Sequence, residues 1–303
     1  MSLRRRSAPA RFRTPPRFLT PLAFLAPFAL GTLVFVFYPI IDVIRLSFLE
    51  DHVFLTGQFS RVGLGNYAAT FADPHFATAV RNTTIYAAVV IPTTLVLGLA
   101  AAWLLNRSFV GRRFFQTVYF LPLVTSATAI GLAWRWIFNF DYGVLNYALS
   151  LVGLPGVNWL NDPAWGLAAL MIYGVWSMLP LTTVLLLVGM QNIDPRYGLA
   201  ARVDGAGALA RFRAITLPLL APSIGLVLIV NLITSARVFD ELFPLFNGKP
   251  GVAGSLYTMV YFIYDSFFKA NDLGKASAAA IVFSLAVLVL ALLQLRLQRR
   301  WRH

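Results

Sequence analysis

Long apolar runs alternate with short polar segments along the whole chain. Each of six runs is long enough to cross a hydrocarbon core of about 30 Å as a helix that rises about 1.5 Å per residue. The runs cover residues 18–41, 79–105, 116–138, 165–190, 217–239 and 273–295. Backbone polar groups in lipid must pair internally, and the strict alternation of a barrel strand is missing. The pattern therefore predicts an all-α integral membrane protein with six transmembrane helices.

The charged residues between these runs are distributed unequally between the two sides. Segments 1–17, 106–115, 191–216 and 296–303 contain most of the 25 Lys and Arg residues and only two acids, Asp194 and Asp204. The alternate segments, 50–78, 141–165 and 246–270, are more acidic than basic. By the positive-inside rule both termini are predicted to be cytoplasmic, as an even number of spans also requires. We expect a multi-pass protein of the cell membrane.

The same pattern divides the chain into three parts. Residues 1–17, rich in arginine and containing Pro15-Pro16, are expected to form a disordered basic cytoplasmic tail. The apolar run that follows is too long for the core of a signal peptide and lacks a small-residue cleavage site, so we interpret it as a retained first helix. Residues 18–295 form the predicted membrane domain, and residues 296–303 form a basic cytoplasmic C-terminus.

Composition supports this class of protein. Hydrophobic residues make up 58% of the chain and charged residues 12%, and the mean hydropathy is +0.72. A soluble domain usually contains about 25% charged residues. Cysteine is absent, which excludes disulfides and thiolate metal sites, and no metal site is expected from the three scattered histidines. The net charge of +13 lies in short clusters between apolar runs, which argues against a nucleic-acid-binding face.

The segment 191–218, between the fourth and fifth runs, carries the most specific pattern. Asp194 is a good N-cap and Pro195 suits the first helical turn, so a short helix is predicted to about Val203. Gly205 favours a turn, because glycine tolerates positive φ. A second helix follows, and Pro218 marks the start of the fifth span. The pattern predicts a cytoplasmic helix–turn–helix.

This segment resembles the cytoplasmic docking motif of permease subunits in binding-protein-dependent ABC importers, in their carbohydrate branch. That motif contains Glu-Ala-Ala, then Asp-Gly-Ala, then Ile-x-Leu-Pro. Leu199 stands where the family usually has Glu, so no ion pair to the ATPase is expected from this position, and the rest of the motif is expected to dock by shape and apolar contact. The positions that match, and that the resemblance implies dock the ATPase, are Ala200, Ala201, Asp204, Gly205, Ala206, Ile215, Leu217 and Pro218.

The resemblance extends over almost the whole chain. Further similar stretches, in the order of the family, are 62–67, 82–83, 114–122, 239–240, 248–250 and 272–278. The chain is most similar to the first member of the usual pair of sugar permeases. The resemblance implies the fold of type I ABC importer permeases and transport of a sugar or sugar-like solute.

The resemblance also implies the partners of the chain. They are a second permease subunit, which is expected to be a different chain, two ATPase subunits and an extracytoplasmic solute-binding protein. The sequence contains no Gly-x-x-x-x-Gly-Lys-Ser/Thr phosphate loop. We therefore expect no cofactor on this chain, with ATP and magnesium on the partner ATPase, and we do not expect the chain to be an enzyme.

Polar residues within the fifth run suggest where solute passes, since polar groups in a bilayer usually face a cavity or another helix. Asn231 and Ser235 are four residues apart and share a helix face. The resemblance implies a role for this face, because in the resembling permeases this part of the fifth helix lines the solute site, opposite the end of the fourth span. The predicted pathway residues are Asn231, Ser235, Arg237, Asp240, Trp176, Met178 and Leu181.

Other roles remain open for these residues. Asn231 and Ser235 could instead form hydrogen bonds between helices, and Arg237 could pair with Glu241 four residues later. Asp240 could position the loop that follows it. Arg135 and Trp136, near the outer end of the third span, are expected to be interfacial anchors.

Three other functions remain as alternatives. A related importer could carry amino acids, phosphate, polyamines or metals. A secondary transporter would be expected to contain inverted repeats with broken helices, which the sequence does not indicate. An intramembrane enzyme would need a nucleophile–base pair or a metal-ligand cluster, and residue spacing suggests neither.

Overall fold

The computed structural model describes residues 19–53 and 56–300. The predicted tail, residue 18 and residues 301–303 lie outside this part of the chain. In chain order the helices are α1 (Leu19–Thr32), α2 (Tyr38–Phe48), α3 (Gly65–Ala72), α4 (Pro74–Leu105), α5 (Arg112–Phe120), α6 (Ala127–Ile137), α7 (Val144–Leu151), α8 (Gly166–Gln191), α9 (Pro195–Val203), α10 (Ala208–Arg211), α11 (Leu217–Leu219), α12 (Ala221–Ala236), α13 (Leu242–Phe246), α14 (Met259–Tyr264) and α15 (Leu273–Arg300).

The described residues contain four helices long and apolar enough to cross a membrane, at Phe24–Phe48, Pro74–Leu105, Gly166–Gln191 and Leu273–Gln298. Two sharply bent helix pairs raise this number to six if each pair is one span. The prediction of a mostly helical protein with several membrane-length helices is therefore confirmed. A short ladder corrects the all-α prediction, since β1 (Leu49–Glu50) pairs antiparallel with β2 (Arg61–Val62).

The first span is one long helix, because a π-helical segment, Leu33–Phe37, joins α1 to α2 without a break. It continues to Phe48 rather than ending at residue 41. Most of its apolar side chains are exposed, and only the α2 part packs against α15. The first half of this span therefore adds little to the core of the chain.

The second span starts earlier than predicted, at Pro74 rather than residue 79. Asp73 is the N-cap of α4, and its Oδ1 accepts a hydrogen bond of 2.7 Å from the backbone N–H of His75. Proline at the first helical position has no N–H that would lack a partner there. The capping signal at residues 73–74 therefore extends the helix beyond its apolar stretch.

Helices α4 and α8 form the most extensive helix pair in the chain. Their backbones approach so closely at two glycines that a side chain would not fit. A Cβ on Gly98 would lie 2.6 Å from Cγ2 of Thr182, and one on Gly174 would overlap the hydroxyl of Tyr86. Small residues at such contacts let membrane helices pack through van der Waals interactions, which replace the missing hydrophobic effect in lipid.

The apolar run predicted as the third span forms two helices rather than one continuous helix. A 3-10 turn, Leu121–Val124, follows α5, and the chain bends by 105° before α6 begins. Pro122 lacks an N–H, and Thr125 and Ser126 adopt extended backbone conformations, so the helical hydrogen-bond ladder is interrupted. The fourth span, in contrast, agrees with the prediction to within one residue at each end.

The run predicted as the fifth span is also bent, by 67°, between α11 and α12. The bend lies at Leu220, between Pro218 and Pro222, and each proline removes one backbone donor. Helix α12 ends at Ala236 rather than at residue 239. The following turn contains Arg237, Asp240 and Glu241, so these residues are not on a helix.

The segment between α12 and α15 is tied to the second span by side-chain hydrogen bonds. Nδ2 of Asn82 donates to the carbonyl oxygens of Ser255 (2.7 Å) and Tyr257 (2.9 Å). Oγ1 of Thr83 accepts from the backbone N–H of Met259 at 3.0 Å. Asn82 is buried, so these bonds satisfy both of its amide donors.

Two clusters of buried apolar residues hold the spans together. The larger cluster contains Tyr86, Phe138, Leu170 and Tyr261 and joins α4, α8, α13 and α14. The smaller cluster contains Ala102, Leu186 and Leu220 at the opposite end of α4 and α8. Helix α15 continues to Arg300, so part of the predicted C-terminal segment is helical.

Candidate functional site

The loop between the fourth and fifth apolar spans begins with α9, as the capping pattern predicts. Oδ1 of Asp194 accepts a hydrogen bond of 2.9 Å from the backbone N–H of Arg196, and Pro195 is the first helical residue. An N-cap of this kind contributes about 1 kcal/mol to helix stability. The start of the loop is therefore fixed by its local sequence.

The turn after α9 is fixed by backbone hydrogen bonds and by glycine. Gly205 has a φ of 77°, in the left-handed region. The N–H of Ala206 donates to the carbonyl oxygen of Ala201 at 2.8 Å, which closes the end of α9. Nη1 of Arg211 donates to the carbonyl oxygen of Ala206 at 2.9 Å and so connects the turn to the next helix. The predicted helix–turn–helix is present in the structure.

The second arm of the loop runs directly into the fifth span. Helix α10 continues through a π-helical segment, Phe212–Thr216, into α11. Phe212 packs on Trp103 near the end of α4, with ring centroids 5.5 Å apart. Ile215 and Leu217 are half-buried, whereas Pro218 is exposed. A displacement of this arm would therefore be transmitted to both α4 and α12.

The outward side of the loop exposes apolar side chains. Val203 is 88% exposed and Leu209 is 64% exposed, and they lie on either side of the turn at Gly205. Leu199 is also exposed. Apolar residues grouped on a polar loop are typical of a surface that a partner protein covers. The sequence comparison drew attention to Leu199 but not to Val203 or Leu209, which motif matching alone does not reveal.

A cleft of about 400 Å³ lies between the loop and the ends of the spans. Its lining includes Asn106 after α4, Met190 at the end of α8, and Asp194 and Arg211 in the loop. Hydrogen bonds at the turn hold the two arms of the loop together, and Phe212 attaches the second arm to α4. The cleft separates α9 from the ends of the spans. This arrangement is suited to a rigid lever rather than to a packed part of the core.

A buried polar cluster lies within the bundle, where the fourth and fifth spans meet. Oγ1 of Thr182 donates to Oδ1 of Asn231 at 3.1 Å. Thr183, the next residue, shares a 3.0 Å hydrogen bond with the hydroxyl of Tyr119 in α5. Nδ2 of Asn231 has no partner among the described residues. The cluster therefore connects α5, α8 and α12 and leaves the side-chain NH₂ group of Asn231 without a partner among the described residues.

The structure separates the predicted pathway residues into different environments. Asn231 and Ser235 are buried against α8, where the hydroxyl of Ser235 lies 3.8 Å from the sulfur of Met178. Trp176 packs edge-to-face on Trp134 at 5.4 Å. Asn231, Ser235 and Met178 are thus brought together, whereas Trp176 contacts α6.

The remaining predicted pathway residues lie elsewhere. Leu181, Arg237 and Asp240 are exposed, and the latter two are in the turn after α12. Arg237 forms no ion pair with Glu241 within the described residues. Instead, Oε2 of Glu241 accepts from the backbone N–H of Phe239 at 3.1 Å. The turn is thus shaped by backbone capping rather than by the helical charge pair.

The described part of the chain contains no group of three or more His, Asp or Glu residues that could hold a metal ion. The arrangement of the loop and the polar cluster also brings no nucleophile next to a base.

A chain with several membrane-length helices, and an exposed helix–turn–helix between two of them, is a multi-pass membrane protein. The sequence model of a family described as "Binding-protein-dependent transport system inner membrane component" matches residues 94–303. The match includes the loop and the polar cluster. The chain belongs to this family.

Similar proteins agree with this assignment. The trehalose/maltose transport system permease protein MalF of Thermococcus litoralis is 32% identical over 267 residues, which cover 88% of this chain and 89% of that protein. The arabinooligosaccharides transport system permease protein AraP of Bacillus subtilis is 34% identical, with 89% and 85% covered. The lactose transport system permease protein LacF of Rhizobium radiobacter is 32% identical, with 86% and 88% covered.

Solved structures share the fold. A chain of a bacterial ABC transporter involved in the import of the acidic polysaccharide alginate superimposes with a TM-score of 0.79. It is 24% identical, and the alignment covers 94% of this chain and 96% of that chain. The expected resemblance to ABC importer permeases is thus confirmed by family, by relatives and by fold.

Proposed function

We propose that this chain is the permease subunit of an ABC importer that carries a sugar or sugar-like solute across the cytoplasmic membrane. Its relatives are named as permeases for trehalose and maltose, arabinooligosaccharides and lactose. The observation that carries the proposal is the rigid exposed loop, whose turn at Gly205 holds Val203 and Leu209 outward. A partner that binds this loop can move the spans attached to it.

The proposal includes six spans with both termini on the cytoplasmic side. Each bent helix pair is then one span, since the two parts of each pair are together long and apolar enough to cross a membrane. The excess of Lys and Arg in the segments that share a side with the loop supports a cytoplasmic location for it. The loop would then face the compartment that contains ATP.

The proposed partners are two ATPase subunits, a second permease chain and an extracytoplasmic solute-binding protein. ATP and magnesium belong to the ATPases, and this chain couples their movement to the pathway without catalysis of its own. Closure of the ATPases moves the loop as a rigid body and biases the bundle between inward-facing and outward-facing states. Phe212 and the bend at Leu220 provide the connection from the loop to α4 and α12.

The proposed solute pathway runs along the polar cluster and the broken third span. Irregular backbone is tolerated at membrane depth where it lines a cavity or is buried in protein. Leu121 and Val124, at the break, are exposed on this chain, which is consistent with a pathway or a second permease on that side. The unpartnered amide of Asn231 is of the kind that binds sugar hydroxyls, but it is buried in this structure, so we expect solute to reach it only when the helices around it move apart.

A pair of glycine substitutions tests the coupling role of the loop. Gly205→Val forces a β-branched residue to a φ of 77°, whereas Gly207→Val is the matched control, because Gly207 has a φ of −67° and open space around its Cα. We expect Gly205→Val to insert normally but to lose stimulation of ATP hydrolysis by the binding protein, with uptake reduced at least about tenfold. Normal coupling in Gly205→Val would contradict the proposal.

The partners and the cargo need a separate experiment. Purification in mild detergent, followed by mass identification of stable partners, should recover an ATPase, a second permease and a binding protein. The recovered binding protein can then be screened against sugars, amino acids, phosphate, polyamines and metals. Transport by the chain alone in liposomes without ATP would favour a secondary transporter instead.

A further inference from the structure

A segment without charge lies between the third and fourth spans. Residues 142–161 contain no Asp, Glu, Lys or Arg, although they lie outside the long apolar helices. Helix α7 forms the first part of this segment. Its eight residues extend about 12 Å at about 1.5 Å per residue, which is too short to cross a membrane.

One face of α7 is firmly attached to the bundle. Leu145 and Leu149 pack against the larger apolar cluster. Between them, Nδ2 of Asn146 donates to the carbonyl oxygens of Phe140 and Val157, each at 3.0 Å. Oδ1 of Asn146 accepts from the backbone N–H of Val157 at 3.1 Å.

Oδ1 of Asn146 also accepts from Nε1 of Trp159 at 2.9 Å, and the backbone bond from Val157 completes its acceptor capacity. The buried side chain therefore forms all four hydrogen bonds of which an amide is capable. A fully satisfied buried amide specifies one geometry strongly, so the orientation of α7 about its own axis is fixed.

The opposite face of α7 is apolar and uncovered. Val144, Tyr147 and Leu151 lie within about 60° of one another on the helix, at about 100° per residue. Tyr147 is 65% exposed and Leu151 is 70% exposed. Exposed apolar residues grouped on one face of this kind are typical of a surface that a partner or a membrane covers. Something other than water must therefore cover this face.

The uncovered face is continuous with exposed apolar side chains on α6. Leu132 and Trp136 are exposed on one side of α6, and Trp136 is 68% exposed. The ring of Trp136 packs edge-to-face on Tyr142, at 5.7 Å between centroids. Tryptophan and tyrosine are enriched at membrane–water interfaces, where an apolar ring meets lipid and a polar tip meets water.

We propose that α7 lies in the outer membrane interface, with its Val144–Tyr147–Leu151 face covered by the lipid bilayer. A soluble binding protein must dissociate in every transport cycle and would leave this face in water, whereas lipid covers it permanently. The outer location rests on the orientation proposed above. Because Asn146 ties α7 to Phe140 after α6, lipid contact fixes the height of the outer half of the broken third span.

The absence of cysteine allows a direct test by spin labelling. Single variants Val144→Cys, Tyr147→Cys and Leu151→Cys would be labelled in the assembled transporter in liposomes. Accessibility would be measured to oxygen, which concentrates in lipid, and to a water-soluble nickel chelate. Ser150→Cys is the matched control, since Ser150 is exposed at the edge of the apolar face and is followed by the turn at Gly153.

We expect labels at the three apolar positions to be severalfold more accessible to oxygen than to nickel, and the label at Ser150 to show the reverse preference. Preference for nickel at all three apolar positions would overturn the proposal. Exclusion of both reagents, relieved when the second permease or the binding protein is removed, would also overturn it, because the face would then be covered by protein.

Sidedness is measured separately with the same variant. A membrane-impermeant thiol reagent added to intact spheroplasts should label Ser150→Cys from outside. Labelling only after lysis would contradict the orientation in the proposed function, whereas the oxygen and nickel measurements would still decide whether lipid covers α7. The two failures are therefore distinguishable.

Discussion

The α4–α8 interface and the loop at 191–218 use glycine in opposite ways. At the interface, Gly98 and Gly174 have ordinary helical φ and are needed because the neighbouring helix leaves no room for a side chain. In the loop, Gly205 has open space around it and is needed for its positive φ. The interface is buried and complete within this chain, whereas the loop exposes apolar residues. The α4–α8 interface stabilises the chain itself, whereas the loop provides a surface for contact with a partner.

The largest effect on stability is expected at the interface. Gly174→Ala adds a methyl group that overlaps the hydroxyl of Tyr86, and overpacking of this kind costs about 1–3 kcal/mol. Thermal unfolding of the purified complex should occur at a lower temperature. The variant that remains folded should still co-purify with as much ATPase as the wild type does.

Two variants control this experiment. Gly31→Ala makes the same chemical change in a helix where no atom lies within 4 Å of the new Cβ, and it should not lower the unfolding temperature, because alanine is more favourable than glycine in a helix by up to about 1 kcal/mol. Tyr86→Phe combined with Gly174→Ala should restore part of the stability. If the double variant is no more stable than Gly174→Ala, the clash is not with the hydroxyl.

The loop should show the converse behaviour. Val203→Asp places a charge on a side chain that is already exposed, so the folded permease should lose little stability. A buried charge at the partner surface should reduce ATPase affinity at least about tenfold, or about 1.4 kcal/mol. The measurement is quantitative co-purification of the ATPase, with exposed Arg202→Asp as the control for charge alone. An equal loss of ATPase affinity in both variants would contradict a role for apolar contact at Val203.

A smaller effect is expected where the polar cluster joins the fourth and fifth spans. Hydrogen bonds between membrane helices contribute about 0.6 kcal/mol on average. A double-mutant cycle with Asn231→Leu and Thr182→Val should give a coupling energy of that order. Asn231→Leu should reduce solute uptake by more than its loss of stability alone would cause, because the unpartnered amide group is also removed. Zero coupling would contradict a direct bond between the two side chains.

The smallest effect concerns the ion pair between Asp73 and Lys275, at the start of α4 and α15. Partial burial raises the pKa of Asp73, but the hydrogen bonds from Lys275 and from the N–H of His75 outweigh it, so the net pKa lies below its ordinary value. A carboxylate with a lowered folded-state pKa stabilises the protein above its unfolded pKa of about 3.9, and that stability is lost as pH falls through the folded pKa.

The unfolding temperature of the wild type should therefore decline below about pH 4 more steeply than that of Asp73→Asn. Lys275→Met should reduce the same pH dependence while it leaves the N-cap bond to His75 in position. Identical pH profiles in all three proteins would show that this pair does not couple protonation to folding.

The sequence alone determined the class of this protein and most of its helices. Apolar run length dictated membrane-length helices, because lipid leaves a helix as the only way to pair every backbone group in a single segment. The fourth span and the helix–turn–helix were predicted closely, since caps, proline and glycine act over a few neighbouring residues. The match of the loop to the docking motif also came from local sequence.

Only the tertiary structure decided the breaks in the spans and the environment of the polar residues. Pro122 and Pro218 are visible in the sequence, but proline is tolerated in straight membrane helices as well, so the 105° and 67° bends depend on packing around them. Likewise, the spacing of Asn231 and Ser235 defines a shared face but not which helix it contacts. The bond from Thr182 to Asn231 and the exposed face of α7 were located by long-range packing, which local patterns do not encode.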